Sequence, residues 1–208
     1  MKGKWSKGIE PRNFCWIIKD SIAICERPGG HTANHRRVRR HEEVIWIREH
    51  GFHRVISLIP SPHNLHAYAE LNMPFEHVPL GPHDDAHMAM SVLFLNLKIW
   101  IARGEKIIIH QDEISDRLQG TMGAYLLYAG LLANGPQAIT VIEHVMSRQL
   151  GPAGRELINL AELGLEIPPA APTSNAAGPT SSPGQTVLST DRQAGSGAPT
   201  SDPAPVAP

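Results

Sequence analysis

Apolar residues in the first 165 positions alternate between short continuous runs and longer, helically spaced segments. The short runs lack polar alternation and are typical of strands covered on both faces, whereas apolar positions repeated every three or four residues predict helices. The predicted strands are Phe14–Lys19, Ser21–Cys25, Val55–Ile59, Phe75–Leu80 and Lys106–His110. The predicted helices are His35–His50, Leu65–Leu71, Met88–Ala102, Leu118–Leu132, Pro136–Arg148 and Pro152–Leu163. The predicted core of the third helix is Met88, Met90, Leu93, Phe94, Leu97 and Trp100. This alternation predicts an α/β fold of three layers (αβα), with a central, mainly parallel sheet and helices on both faces.

Composition divides the chain into three parts. Nine of the 18 prolines lie in residues 168–208, where Ala, Ser, Thr and Gly are the other common residues. A segment with so few large apolar residues cannot bury enough surface to offset chain entropy, and we expect a disordered tail over residues 167–208. The folded domain is expected over residues 12–166, after a basic N-terminal segment of residues 1–11.

The charge balance narrows the class of partner. The 19 Lys and Arg residues and 20 Asp and Glu residues give a net charge of −1, which argues against a nucleic-acid-binding protein. The basic run Arg36–Arg40 is expected to be a solvated helix face. No apolar run reaches the ~20 residues of a membrane span, and no apolar segment follows the charged start. Two cysteines do not make a disulfide framework, and we expect a cytoplasmic protein.

The turn after the predicted strand Lys106–His110 carries a distinctive order of residues. Ligands of open α/β sheets bind at such turns, beyond the carboxyl ends of the strands. The sequence Ile-Ile-Ile-His-Gln-Asp-Glu-Ile-Ser-Asp-Arg resembles the phosphate loop of cysteine-based dual-specificity and tyrosine phosphatases, which has an apolar strand, His-Cys, five residues, Arg and then a helix. His110 and Arg117 match the family positions, and Gln111 stands at the position of the nucleophilic cysteine. The candidate binding residues are His110, Gln111, Asp112, Glu113, Ile114, Ser115, Asp116 and Arg117.

The resemblance extends over roughly residues 14–164. Ile22–Glu26 is similar to the family's first strand, and the helix, glycine and strand that follow it also match in order. Phe75–Leu80 and the acidic loop after it resemble the strand and loop that carry the family's general acid. The resemblance therefore implies a phosphatase-like fold in which Asp84 or Asp85 stands at the general-acid position.

Three departures from the family pattern point away from catalysis. The family reaction needs a thiolate, and the Gln111 amide has no nucleophilic or ionisable atom. Cys15 and Cys25 lie in the N-terminal strands and are not expected to replace it. The family's loop glycine is Ile114 here, a β-branched residue that strongly disfavours a positive φ. The hydroxyl residue that usually follows the arginine is Leu118.

The charges of the loop also depart from the pattern. Asp112, Glu113 and Asp116 place three carboxylates where the family binds an anion, and like charges a few Å apart cost on the order of a kcal/mol each. Arg117 is expected to form an internal ion pair with one of these carboxylates. The sequence therefore argues against phosphate binding as well as against catalysis.

The loop that precedes the third predicted helix offers a second candidate site. Without a nucleophile, we expect Asp84 and Asp85 to cap a turn or the helix itself rather than to act as an acid. His83 and His87, four residues apart on either side of them, could bind zinc or iron together with a carboxylate. No family metal motif matches this spacing, so we expect scattered histidines and no cofactor.

Three functions remain open. The favoured hypothesis is a pseudophosphatase: a catalytically inactive phosphatase-like domain that acts as a binding, scaffold or regulatory protein, with a protein partner that the sequence does not identify. The second is a hydrolase or reader of phosphate esters or phosphoproteins that retains weak anion binding through Arg117. The third is a metal-dependent hydrolase that uses His83 and His87 with Asp84 and Asp85.

Overall fold

Residues 7–30 and 37–165 are described by the computed structural model, and they form five strands and six helices. The strands are β1 (Cys15–Ile18), β2 (Ile22–Glu26), β3 (Arg54–Ser57), β4 (Phe75–His77) and β5 (Ile107–Gln111). The helices are α1 (Arg37–Glu49), α2 (His66–Glu70), α3 (Ala86–Ala102), α4 (Asp116–Tyr128), α5 (Gly135–Met146) and α6 (Pro152–Glu162). The predicted tail of residues 167–208 and the start of the predicted basic segment, residues 1–6, lie outside the described residues.

The five strands form one sheet in the order β1-β2-β5-β3-β4. Strand β1 pairs antiparallel with β2, and every other pairing is parallel. The central strand β5 aligns Ile109 with Ile24 of β2 and with Ile56 of β3, and all five of its residues are buried. This order places Gln111, the last residue of β5, in the middle of the carboxyl edge of the sheet.

Helices cover both faces of the sheet, which confirms the predicted three-layer architecture. Ile107 and Ile109 belong to an apolar cluster that includes buried side chains of α3, α4, α5 and α6. Ile108 belongs to a second cluster, with buried side chains of α1 and α2. Successive residues of a strand point to opposite faces, so an unbroken apolar run supplies both cores at once.

Several element boundaries differ from their prediction for local reasons. Helix α3 begins at Ala86 because Asp85 caps it, with its side chain accepting a hydrogen bond from the Met88 backbone N–H. Helix α4 ends at Tyr128, four residues before the predicted end at Leu132, because Gly130, with φ of 71°, turns the chain. Strand β4 is shorter than predicted, since Pro79 has no N–H to donate to a neighbouring strand.

Two expectations about exposure are wrong. Helical spacing predicts Met88 in the core, but it lies on the outer face of α3 and is 51% exposed. The basic run in α1 is not a uniformly solvated face, because Arg40 is buried and Arg39 pairs with Glu43 at 2.7 Å. In the predicted basic segment, the Ile9 N–H donates to the Glu42 carbonyl of α1.

No helix in the described part of the chain is both long and apolar enough to cross a bilayer.

Candidate functional site

The candidate site is the loop that joins β5 to α4, residues 112–115. Ser115 has an extended backbone and caps α4, because its Oγ accepts a hydrogen bond from the Leu118 N–H at 3.1 Å. The loop therefore lies over the N-terminus of a 13-residue helix at the carboxyl edge of the sheet. This is the position at which open α/β sheets bind ligands.

The side chain of Gln111 fills the place from which a nucleophile would act. It is 8% exposed, and its Nε2 donates to the Leu80 carbonyl at 3.1 Å. Its Oε1 accepts a hydrogen bond from the Ser115 hydroxyl. Both ends of the amide therefore have partners within the fold, and the side chain connects β5 with the loop after β4 and with the cap of α4.

The side chain of His110 lies on the opposite face of the sheet from α4 and contacts Tyr68. Its ring is 1% exposed, and its Nε2 lies 2.9 Å from the hydroxyl of Tyr68 in α2. Burial, and secondarily the positive charge of Arg27, lower the pKa of His110 to about 3. The imidazole is therefore neutral at physiological pH and cannot act as the positive partner of an anion.

Two of the three loop carboxylates have partners outside the site, contrary to the electrostatic expectation from sequence. Asp112 pairs with Arg27 at 2.9 Å, and the Arg27 side chain is 12% exposed. Asp116 accepts hydrogen bonds from the N–H groups of Gly151 and Gly154, at 2.5 and 2.7 Å, at the start of α6. Repulsion of an anion by the loop is consequently weaker than the residue types alone predict.

Arg117 does not form the expected ion pair with Asp112, Glu113 or Asp116 in the described structure. Its Nε is buried and has no hydrogen-bond partner among the described residues. The Arg117 side chain lines two cavities. One, of about 200 Å³, is shared with Gln111 and the loop, and the other, of about 390 Å³, is shared with Asp84.

The residues that replace the family's glycine and hydroxyl residue have structural roles. Ile114 is half-buried and packs against the larger apolar cluster, and it is absent from the described residues with a positive φ. Its carbonyl accepts a hydrogen bond from Arg148 at 2.6 Å. Leu118 is fully buried in the same cluster. The loop is therefore held to the core by apolar contacts at two positions.

Asp84 and Asp85 both act as caps, as expected. The Asp84 carboxylate accepts a hydrogen bond from the Gly81 N–H at 2.6 Å and closes a turn. Asp85 caps α3 through the Met88 N–H at 3.0 Å. Both side chains lie on exposed residues. Asp84 is the one that shares a cavity with Arg117.

The histidines of the same loop do not assemble a metal centre in the described structure. Within residues 7–30 and 37–165, no group of three or more His, Cys, Asp or Glu side chains is placed to hold a metal ion. His83 is exposed and His87 is half-buried, and the His87 carbonyl bonds to Ser91 of the same helix. The structure gives no support to the metal-dependent hydrolase.

Neither cysteine lies in the loop, but Cys25 is in a strand next to β5. Cys25 is the register partner of His110, so it lies one strand away from the loop. It is fully buried, however, and burial, together with the nearby charges of Glu43 and Glu26, raises its pKa well above the ordinary value. A buried, protonated thiol cannot replace the missing nucleophile.

Sequence reasoning missed three residues that shape the site: Arg27, Tyr68 and Leu80. Each comes from a segment distant along the chain: Tyr68 and Leu80 contact the last two residues of β5, and Arg27 contacts the loop itself. Arg27 follows β2, the parallel neighbour of β5, and bonds to the His63 carbonyl as well as to Asp112. The signal that could have found Arg27 is its place directly after a strand, because parallel strands end at the same edge of the sheet.

Comparisons with known proteins give a match in structure alone. No family model and no curated protein matches the sequence. Tk-PTP in its active form matches with a TM-score of 0.59 and 15% identity, over 73% of this chain and 97% of that chain. Kinase associated phosphatase, with its catalytic cysteine replaced by serine, matches with a TM-score of 0.60 and 15% identity, over 71% and 92%. Human DUSP28 matches with a TM-score of 0.55 and 11% identity, over 76% and 99%. The chain therefore has the fold of the dual-specificity and tyrosine phosphatase domains.

Proposed function

We propose that the chain is a catalytically inactive phosphatase-like domain that acts by binding another protein. The observation that supports this most strongly is the environment of Gln111. A neutral amide occupies the end of β5, and its two polar atoms bond to Leu80 and Ser115. The site has no thiolate to attack phosphorus, and the amide that stands in its place has no nucleophilic atom.

Two further positions oppose a simple return to catalysis. A thiolate at this position would need the N–H groups of the loop, and Ile114 packs on the core rather than adopting the positive φ that a close approach to phosphate requires. Leu118, buried in the core, supplies no hydroxyl to help a thiolate leave. The inactive state thus depends on at least three positions.

Hydrolysis assays on the wild-type chain and the Gln111→Cys variant test this proposal. We expect neither protein to hydrolyse para-nitrophenyl phosphate or phosphopeptides above the rate without protein, because Ile114 and Leu118 remain in the variant. The thermal unfolding of both proteins serves as the control for folding. Turnover by the wild-type chain would refute an inactive domain, and turnover by Gln111→Cys alone would refute the role assigned to Ile114 and Leu118.

A second candidate, an anion reader, is favoured by the state of Arg117. Its buried Nε has no described partner, and its side chain lines the cavity of about 200 Å³ beside Gln111. Under this function, phosphate or sulfate at tens of millimolar raises the melting temperature of the wild-type chain by mass action. Arg117→Gln abolishes the shift, whereas Arg12→Gln, at an exposed arginine elsewhere, retains it. An equal shift in all three proteins, or none, removes this candidate and leaves the first.

A further inference from the structure

Helix α3 has a second apolar stripe on the face that points away from the core. Its inner face buries Met90, Leu93, Phe94 and Leu97, among others. On the outer face, Met88, Val92 and Ile99 are 51%, 38% and 41% exposed. Leu95, between them, is half-buried and belongs to neither core cluster. We call Met88, Val92, Leu95 and Ile99 the outer seam.

The spacing of the outer seam is that of a helix–helix contact. Its members are separated by four, three and four residues, which aligns them in one narrow row along the helix. A solvated helix normally presents charged and polar residues on its outer face, yet Lys98 is the one charged residue in the 17 residues of α3. An apolar row of this kind indicates a surface that packs against another helix.

We propose that the outer seam binds the same seam of a second copy of this chain, with the two α3 helices antiparallel. The two-fold axis of such a pair lies midway between Val92 and Leu95, and the seam is symmetric about that point. Met88 then lies opposite Ile99 of the partner subunit, and Val92 lies opposite Leu95 of the partner subunit. An interface of this kind is self-complementary, as a two-fold dimer requires.

The charges at the two ends of α3 fit this antiparallel arrangement. Asp84 lies just before the helix, and Arg103 follows its last residue, each at the same number of residues from the axis. Arg103 is exposed and forms no ion pair with a described residue, and Asp84 is also exposed. In the antiparallel pair, Asp84 of one copy approaches Arg103 of the partner subunit at both ends. A parallel pair would instead bring like charges together.

The length of the outer seam limits the area that the dimer can bury, and therefore its affinity. A helix of 17 residues is about 26 Å long, so one helix pair buries less than the ~1,200–2,000 Å² typical of stable specific interfaces. We therefore expect a dimer that dissociates in the micromolar range or above.

Sedimentation equilibrium of the full chain, at concentrations from about 10 to 1,000 µM, tests the dimer. We expect the wild-type chain to dimerise reversibly and Val92→Lys to remain monomeric, because the substitution places two ammonium groups at the centre of the seam. Leu131→Lys, at a leucine that is 57% exposed outside α3, is the matched control and should dimerise as the wild type does. A wild-type chain that stays monomeric throughout overturns the proposal and indicates that the outer seam binds a different protein. A dimer that Val92→Lys leaves intact also overturns it.

Charge reversal tests the antiparallel direction. Asp84→Arg and Arg103→Asp should each weaken the dimer by roughly threefold to tenfold, because each variant brings like charges together at both ends. An equimolar mixture of the two variants should restore wild-type affinity, since opposite charges then meet at both ends of the mixed dimer. Melting temperatures of the separate variants check that the Asp84 turn still folds. A mixture that binds no better than either variant alone overturns the antiparallel pairing.

Discussion

Position 111 determines much of the chemistry of this chain. Replacing a thiolate by a neutral amide removes the nucleophile, and the Nε2 of Gln111 also donates a hydrogen bond, which a thiolate could not do. It donates to Leu80 and accepts from Ser115, which in turn caps α4. The side chain thus stabilises the loop that follows it. Residue types in the sequence predicted the loss of the nucleophile, but they could not predict these bonds, because Leu80 meets the loop only in the folded sheet.

His110 makes the stability of the domain depend on pH. Burial lowers its pKa to about 3 in the folded chain, whereas in the unfolded chain it protonates near its ordinary value of 6.5. Between these values the unfolded state binds the additional proton, so the contribution of His110 is fully present above about pH 6.5 and is lost as the pH falls toward 3. Over this range, each unit by which the pH falls should lower the contribution of His110 to the free energy of unfolding by on the order of 1 kcal/mol.

Urea unfolding at a series of pH values between 4 and 7 measures this dependence. His110→Gln should unfold at a lower urea concentration at neutral pH and should show a shallower dependence on pH than the wild type. His83→Gln, at an exposed histidine, is the control and should keep the wild-type slope. Equal slopes in the wild type and His110→Gln would contradict the assignment of the proton uptake to His110.

At the level of elements, the contact between α4 and α6 is unusually close. A Cβ added at Gly120 would lie 2.4 Å from both the Cα and the carbonyl oxygen of Gly154. Backbone atoms cannot move aside as the end of a flexible side chain can, so the two helices would have to separate. In a solvated helix Gly→Ala is stabilising by up to about 1 kcal/mol, but here we expect the opposite sign.

We expect Gly120→Ala to lower the free energy of unfolding by about 1–3 kcal/mol or more, measured by urea unfolding. Gly135→Ala is the matched control within α5. There the nearest atoms to the added Cβ belong to the carboxylate of Glu162, which accepts a hydrogen bond from the Gly135 N–H. It can turn aside at the cost of that one bond, so the loss should stay at or below about 1 kcal/mol. A Gly120→Ala variant as stable as the control would contradict the close approach of α4 and α6.

The elements themselves were largely predictable, whereas their ends and outer faces were less so. Apolar periodicity located α3, but it placed Met88 in the core because the helix is apolar on both sides. The same periodicity predicts that α4 continues past Gly130, but the positive φ of this glycine is incompatible with a continued helix. Periodicity reports which residues are apolar; it does not report which of two apolar faces is covered.

At the level of the whole molecule, the order of elements determined the architecture, because buried parallel strands need helices on both faces. The sequence did not determine the electrostatics of the site. Arg27 and Asp112 are 85 residues apart, and they meet because β2 and β5 are parallel neighbours. Asp116 similarly bonds to α6 instead of facing an anion. Charges counted along the loop therefore overstate its acidity.

The bonds from Asp116 to the start of α6 couple the loop to a distant part of the sequence. The amide hydrogens of Gly151 and Gly154, 35 and 38 residues further along the chain, both donate to this one carboxylate. Their rates of exchange with deuterated solvent should consequently respond to any molecule that reorders the β5–α4 loop, even when it touches neither glycine. Two ordinary backbone amides thus provide a label-free probe for identifying whatever this domain binds.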